Sequence, residues 1–254
     1  MAPLRGTTRL VISLAGLAVL ATACSTHSDS ARSEGRATSA TGEPAPPADR
    51  SGADKGDPAA SRDLLEAART GDADAVREAI ERGADLETRD DRRRTPLLLA
   101  ATGDHIEAAE ALVAAGADPD ARDRQQDTPW LVTGVTGSVR MARTLAKADP
   151  DYGLVNRYGG VSLIPAGERG HVDYIREVTT NPDMDVDVDH VNNLGWTALL
   201  EAVILGDGGK DHQESVRLLV DGGADTSIAD GSGTTALEHA EERGYREIAR
   251  TLRK

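Results

Sequence analysis

The side chains that could support catalysis are scattered through this chain of 254 residues. None of them shows the spacing of a zinc protease, a serine hydrolase, a phosphate-binding loop or a dinucleotide-binding turn. One trio, Glu201, His239 and Asp207, would indicate a hydrolase only if the fold brought the three into one deep pocket. Because no nucleophile, base and orienting group form a plausible constellation, we predict that the chain is not an enzyme and needs no cofactor.

Four aspartates alternate with apolar residues in the segment 183–189, which reads DMDVDVD. Alternation in an extended segment places all four carboxylates on one side: Asp183, Asp185, Asp187 and Asp189. Several carboxylates close together suit calcium, but the segment lacks the central glycine and the closing glutamate of an EF-hand loop. We therefore favour the alternative, in which Val186 and Val188 pack inward, the aspartates meet water and no metal is bound.

Cys24 is the single cysteine, so an internal disulfide and a thiolate zinc site are both excluded. The apolar run before it, residues 10–20, spans about 17 Å as a helix, well short of a hydrocarbon core of roughly 30 Å. With the basic residues before the run, this pattern predicts a signal peptide over residues 1–23. The residues Ala21-Thr22-Ala23-Cys24 resemble the lipobox of bacterial lipoproteins, in which the cysteine is lipidated, although that motif prefers leucine where Ala21 stands.

The resemblance implies an exported protein that is anchored to the cell membrane by a lipid on Cys24. Because Ala21 and Ala23 also suit ordinary signal cleavage, a secreted or periplasmic soluble protein is the alternative. Residues 25–60 contain no Leu, Ile, Val, Met or aromatic side chain, so they cannot bury enough apolar area to fold. We predict that residues 24–60 form a disordered tether behind the lipidated cysteine.

The formal net charge of −14 limits the possible partners. Nucleic-acid binding depends on basic patches that displace counterions, so we predict no nucleic-acid partner. The same charge repels anionic lipid head groups, and membrane attachment is therefore expected only through the N-terminal lipid. By complementarity, a protein partner is expected to present a basic patch.

The elements that position the remaining residues are easiest to read between Thr95 and Asp118. Thr-Pro marks a helix start, Gly103-Asp104 interrupts the apolar pattern, and a second apolar run ends at Gly116. The stretch TPLLLAATGDHIEAAEALVAAGAD is thus a short helical hairpin. It resembles the ankyrin repeat, whose pattern is TPLHxAAxxGHxxxVxxLLxxGAD.

The hairpin recurs along the chain. The fourth repeat position falls on six residues: Arg62, Thr95, Thr128, Val161, Thr197 and Thr235. Successive spacings of 33, 33, 33, 36 and 38 residues place insertions near 182–193 and at 207–211. Residues 61–254 are therefore identified as an all-α ankyrin-repeat solenoid of about six helix-turn-helix repeats with projecting turns, which begins at Ser61 as a helix cap. Trp130 replaces a core leucine, and we expect Gly134 and Ala142 to make room for it.

The resemblance implies a monomeric scaffold that binds another protein through turn tips and first-helix faces. Tryptophan is the residue most enriched at interface hot spots, which draws attention to Trp196 near a turn tip. The expected contact residues are the third repeat positions and some neighbouring surface: Arg94, Asp127, Trp196 and Thr234, with His105, His171 and Glu201. An accessory or chaperone-like lipoprotein that supports an exported enzyme, for example in stress defence, is the alternative. A metal-binding module or a hydrolase is the less favoured one.

Overall fold

A computed structural model describes residues 56–253, and within that range the chain forms twelve α-helices and no β-strand. The expected signal peptide, Cys24 and most of the expected tether lie outside the described residues. No described helix is long and apolar enough to span a membrane. The helices are α1 Pro58–Thr70, α2 Ala73–Glu81, α3 Pro96–Thr102, α4 Ile106–Ala114, α5 Pro129–Thr136, α6 Val139–Ala146, α7 Leu163–Arg169, α8 Val172–Thr180, α9 Ala198–Ile204, α10 Lys210–Asp221, α11 Ala236–Glu242 and α12 Arg246–Leu252.

The helices form six consecutive pairs that stack in two layers. The first helices, α1, α3, α5, α7, α9 and α11, each pack against the first helix of the next pair. The second helices, α2, α4, α6, α8, α10 and α12, pack in the same order on the other side. The predicted solenoid of six helix-turn-helix repeats is therefore confirmed.

Threonine at the fourth repeat position starts most of the first helices. The Thr95, Thr128 and Thr197 hydroxyls accept the backbone N–H of the residue three further on, at 3.2–3.3 Å. Thr235 does the same at 3.4 Å, and the Glu238 carboxylate accepts the Thr235 N–H in return. Each cap satisfies an amide that the helix leaves unpaired, which fixes where the repeat begins.

The first helix begins earlier than the sequence suggested. Helix α1 starts at Pro58, and the Asp57 carboxylate caps it by accepting the Ala59 N–H at 2.8 Å. Ser61 is buried inside the helix, where its hydroxyl donates to the Asp57 carbonyl and accepts the Asp85 N–H, both at 2.9 Å. The expectation that Ser61 caps the helix, and that disorder extends to residue 60, is wrong because the proline and the aspartate already provide a start signal.

The core repeats with the helices. The large residues at the sixth repeat position are buried in the first five repeats, and only Leu237 of the last repeat is half-exposed. Trp130 is completely buried, and its ring meets the edge of Tyr152 at 4.7 Å between centroids. A Cβ atom on Gly134 would lie 1.8 Å from the Ser162 carbonyl oxygen, so this glycine allows the close approach of the next repeat. Trp130 is a core residue, as predicted.

Both predicted insertions stay out of the stack. In the first, Val186 and Val188 pack against the core while Asp183, Asp185 and Asp187 are exposed. The second precedes α10, which has 12 residues whereas the other second helices have 7–9. A turn with Gly208 at φ 71° leads into this longer helix. The extra residues are thus absorbed in a loop and a helix extension.

Candidate binding surface

The turns that enter repeats two to six share one construction, and we call them fingers 1–5: residues 86–94, 119–127, 152–160, 188–196 and 226–234. In each finger one side-chain oxygen accepts the backbone N–H groups two and four residues further on, at 2.6–3.2 Å. The five residues that supply this oxygen are Asp90, Asp123, Asn156, Asn192 and Asp230. This arrangement locks each tip in one conformation.

Neighbouring tips are also bonded to each other. The Arg124 N–H donates to the Arg92 carbonyl, and the Arg157 N–H donates to the Gln125 carbonyl, both at 3.0 Å. The Asn193 N–H donates to the Tyr158 carbonyl, also at 3.0 Å. Fingers 1–4 therefore form a continuous row whose spacing is fixed by the backbone.

The structure places four of the predicted contact residues at one equivalent point. Arg94, Asp127, Trp196 and Thr234 each end a finger, and each donates its backbone N–H to the oxygen that organises that finger, at 2.9–3.1 Å. All four are half-buried. Arg94 also forms an ion pair with Asp90 at 2.7 Å, and burial, followed by the charge of Asp123, raises the pKa of Asp127. Their role in binding stays a prediction.

The histidines at 105 and 171 join successive repeats. Nε2 of His105 lies 3.2 Å from the Arg69 carbonyl oxygen, and Nε2 of His171 lies 3.2 Å from that of Val135. Both carbonyls lie at the C-terminal end of the first helix of the preceding repeat, where backbone acceptors lack a helical partner. The two side chains are half-buried, so each has a structural contact, and a contact with a partner stays a prediction.

Glu201 does not lie on the surface where the sequence placed it. It is 5% exposed, and its Oε1 accepts a hydrogen bond from the Asn192 amide at 2.7 Å. Burial, and after it the charge of Glu168, raises the pKa of Glu201 to about 7. The expectation failed because the fourth residue of α9 faces α7 and finger 4, which the spacing along one helix does not reveal.

The three residues that would have suggested a hydrolase belong to separate pairs. Glu201 bonds to Asn192, Asp207 pairs with His212 at 2.9 Å, and His239 pairs with Asp230 at 2.8 Å. Among residues 56–253 no group of three or more His, Cys, Asp or Glu side chains is placed to hold a metal ion, the aspartate segment included. The described residues thus offer neither of these two kinds of site.

A few large apolar side chains are exposed to solvent. Within the described range they belong to the fingers or to the ends of first helices: Val135, Tyr158, Val191, Leu194 and Leu205, with 42–64% of each residue exposed. Sequence reasoning missed Tyr158 and Leu194, although both stand two residues after an organising asparagine. Water-exposed apolar side chains in fixed positions are typical of contact surfaces.

The second helices present a different surface. Ion pairs connect successive second helices: Arg140 with Glu107 at 3.1 Å, Arg143 with Glu177 at 2.6 Å and Arg176 with Glu214 at 3.2 Å. The pairing holds the pKa of Glu177 below its usual value, and hydrogen bonds from Arg217 hold the pKa of Glu214 at about 2. Because these charges already have partners, the candidate binding surface is the row of fingers together with the first helices.

Comparison with known proteins gives one consistent result. The family model described as ankyrin repeats (3 copies) matches residues 64–156 and 163–254. The ankyrin repeat protein YahD of Escherichia coli (strain K12) is 38% identical over 190 residues, which cover 75% of this chain and 94% of that protein. The crystal structure of an ankyrin repeat domain from Acinetobacter baumannii AYE has 43% identity and a TM-score of 0.70, covering 74% of this chain and 95% of the other. The ankyrin repeat domain of Bcl-3, a member of the IkappaB protein family, has 27% identity and a TM-score of 0.66, covering 75% and 84%.

Proposed function

Because the chain belongs to the ankyrin-repeat family, we propose that it is a non-catalytic scaffold whose protein partner docks on fingers 1–5 and the first helices. Ankyrin repeat domains generally mediate protein–protein interaction, and they are typically not catalytic. The proposal concerns which surface is used here and where the protein acts.

The observation that carries the proposal is the pair of exposed apolar residues on neighbouring fingers, Tyr158 and Leu194. Tyr158 and Leu194 stand on adjacent fingers that are bonded through their backbones, and Trp196 ends the second of these fingers. Aromatic side chains near the centre of an interface often supply most of its binding energy. This surface is already ordered before a partner arrives, so association would cost little conformational entropy.

We further propose that the chain acts outside the cytoplasm, where a lipid on Cys24 holds it at the membrane. Its partner is then an exported protein or a membrane protein. The support comes from the sequence pattern of residues 1–24. Mass spectrometry of the mature N-terminus tests it: a diacylglyceryl cysteine supports anchoring, and an unmodified N-terminus after residue 23 indicates a secreted or periplasmic protein. The accessory lipoprotein is a special case of the scaffold, decided by whether the partner is an exported enzyme.

Site-specific photo-cross-linking tests the surface. A photoreactive amino acid replaces Tyr158 in the full chain in the producing cell, and a second variant carries it at Arg140 on the second helices. We expect an adduct with one protein at position 158 and none at 140. In the variant Trp196→Ala the adduct should fade, because loss of a hot spot costs about 2 kcal/mol or more, roughly thirtyfold in affinity.

Two controls make the result decisive. Trp196→Phe keeps an aromatic ring and should retain most of the adduct, and thermal unfolding of each variant shows that the fold persists. An adduct at position 140 with none at 158 would move binding to the second helices. No specific adduct at either position would contradict the scaffold function itself.

A further inference from the structure

Arginines are unevenly distributed along the row of fingers. In a chain with a net charge of −14, residues 89–94 contain four arginines and two aspartates. Finger 2 adds Arg122 and Arg124, and finger 3 adds Arg157. Fingers 4 and 5 contain no arginine or lysine at all. The arginines of the row therefore all lie in fingers 1–3, where they are interspersed with six carboxylates, on a molecule that is acidic as a whole.

Most of these arginines have no partner within the fold. Arg89 donates to the Arg93 and Arg122 carbonyls at 2.9 and 2.7 Å, and Arg94 pairs with Asp90, so these two arginines are used structurally. The other four in fingers 1 and 2 are exposed and form no ion pair with another described residue: Arg92, Arg93, Arg122 and Arg124. They differ from Arg140, Arg143 and Arg176 of the second helices, which pair with glutamates of neighbouring repeats.

Finger 1 has an arginine at a position with positive φ, a backbone conformation that glycine adopts with less strain. The third residue after the organising side chain has a positive φ in every finger, and it is Gly159, Gly195 or Gly233 in fingers 3–5, with φ of 70–84°. In fingers 1 and 2 the residue is Arg93 with φ 65° and Gln126 with φ 62°. A non-glycine residue here strains the backbone, and the Arg93 side chain makes no hydrogen bond with a described residue that offsets the strain. The fold therefore gives no reason for this arginine.

We infer that the exposed arginines of fingers 1–3 dock an acidic segment of the protein partner. The inference rests on the proposed function and names the chemistry of its ligand. Guanidinium groups bind carboxylates through two parallel hydrogen bonds, and five of them, Arg92, Arg93, Arg122, Arg124 and Arg157, follow the bonded row of tips. The Arg157 guanidinium stacks on Tyr158 at 4.6 Å from the ring centroid, so an apolar contact continues the cationic surface.

This inference replaces the basic partner expected from net charge. Salt screens exposed charges beyond about 8–10 Å, so a partner at the tips responds to these arginines more than to distant acidic groups. Asp91, Asp123 and Asp127 stand between the arginines and would oppose an unbroken row of phosphates. The carboxylates of a polypeptide can be spaced so that they lie beside the arginines and away from these aspartates. This favours an acidic protein segment over a nucleic acid or a lipid surface.

Fluorescence anisotropy with a labelled peptide in which glutamate alternates with serine tests the inference on the full chain. The triple variant Arg92→Gln, Arg93→Gly and Arg124→Gln should bind the probe at least about tenfold more weakly, from the sum of three modest exposed pairs. A charge-matched triple outside the fingers should change binding less than about threefold: Arg169→Gln, Arg243→Gln and Arg246→Gln. Equal binding by the wild type and the finger triple, or an equal loss in both triples, overturns the inference.

Arg93→Gly alone provides a sharper readout because its two effects have opposite signs. Relief of the left-handed strain should raise the melting temperature by about 2–4 °C, whereas the lost guanidinium should weaken probe binding by about threefold. Arg93→Lys keeps the charge but not the two parallel hydrogen bonds, and its affinity should lie between those of the wild type and Arg93→Gly. A stabilised Arg93→Gly variant with unchanged affinity would refute a binding role for this residue.

Competition separates the other polyanions. If duplex DNA or phosphatidylglycerol vesicles displace the labelled peptide at a lower concentration of charge than the unlabelled peptide does, the assignment is overturned in favour of those surfaces. The outcome is also distinct from that of the scaffold test. If a partner is captured at position 158 and its capture does not change in the finger triple, the scaffold function is retained. Only the acidic-segment inference is then overturned.

Discussion

Replacing Glu201 with glutamine should remove most of a pH dependence that this carboxyl imposes on stability. Glu201 lies between α7 and finger 4, accepts a hydrogen bond from Asn192, and has a pKa raised to about 7 by burial and then by the Glu168 charge. Glutamine has nearly the same shape and keeps an oxygen that can accept the Asn192 amide hydrogen. The substitution therefore removes the titration with little change in packing.

The sign follows from the direction of the shift. In the unfolded chain Glu201 has the usual pKa of 4.5, so the folded state holds this proton more tightly. The stabilisation is fully present below pH 4.5 and is lost as the pH rises towards 7. Each pH unit in that window contributes about 1.4 kcal/mol, which limits the loss to about 3 kcal/mol. In a domain of this size, 3 kcal/mol corresponds to roughly 6–12 °C in melting temperature.

Urea and thermal unfolding of the wild type and Glu201→Gln at pH 5 and pH 8 measure this effect. We expect the variant to gain stability over the wild type between these pH values, by up to the amount above. Glu242→Gln removes an exposed carboxylate that forms no ion pair with another described residue, and it should follow the wild type at both pH values. The same pH dependence in the wild type and Glu201→Gln would refute the reasoning.

Two further predictions concern the packing of repeats three and four. Gly134→Ala places a methyl group 1.8 Å from a backbone oxygen of the next repeat and should cost about 2 kcal/mol or more in urea unfolding. Gly231→Ala, with no atom within 4 Å of its new Cβ, should cost less than about 0.5 kcal/mol, and equal costs would contradict the close-approach argument. Tyr174→Phe removes the hydroxyl that lies 2.8 Å from Thr133 Oγ1 and should cost about 1 kcal/mol. Tyr158→Phe, on an exposed ring, should leave the unfolding midpoint unchanged, so a similar loss in both variants would argue against the buried bond.

The sequence was sufficient for the stack of repeats and for the equivalence of the finger ends. Both depend on a period of 33 residues, which survives local variation, and Trp196 and Thr234 occupy the predicted equivalent points. The burial of Glu201 was not predictable because it depends on α7 of the preceding repeat and on how finger 4 folds back so that Asn192 reaches α9.

The expected chemistry of the partner illustrates a second limit. A net charge of −14 is a sum over the chain, whereas binding responds to the charges on one surface. Only the finger geometry shows that four arginines without an ion pair among the described residues stand at the first tips, while Arg140, Arg143 and Arg176 of the second helices pair with glutamates of neighbouring repeats. The left-handed backbone at Arg93 likewise has no reliable signature in the residue itself.

The histidine contacts carry a consequence for how such a chain can change its length over evolutionary time. His105 and His171 reach carbonyls 36 residues earlier, and His212 makes the same contact to Glu168 across 44 residues, because both insertions intervene. The interface is defined by position within a repeat and not by distance along the chain. Tandem duplication or loss of a whole repeat would therefore recreate a repeat–repeat interface that already exists. The array can thus change its length by whole repeats without evolving a new packing interface at the junction.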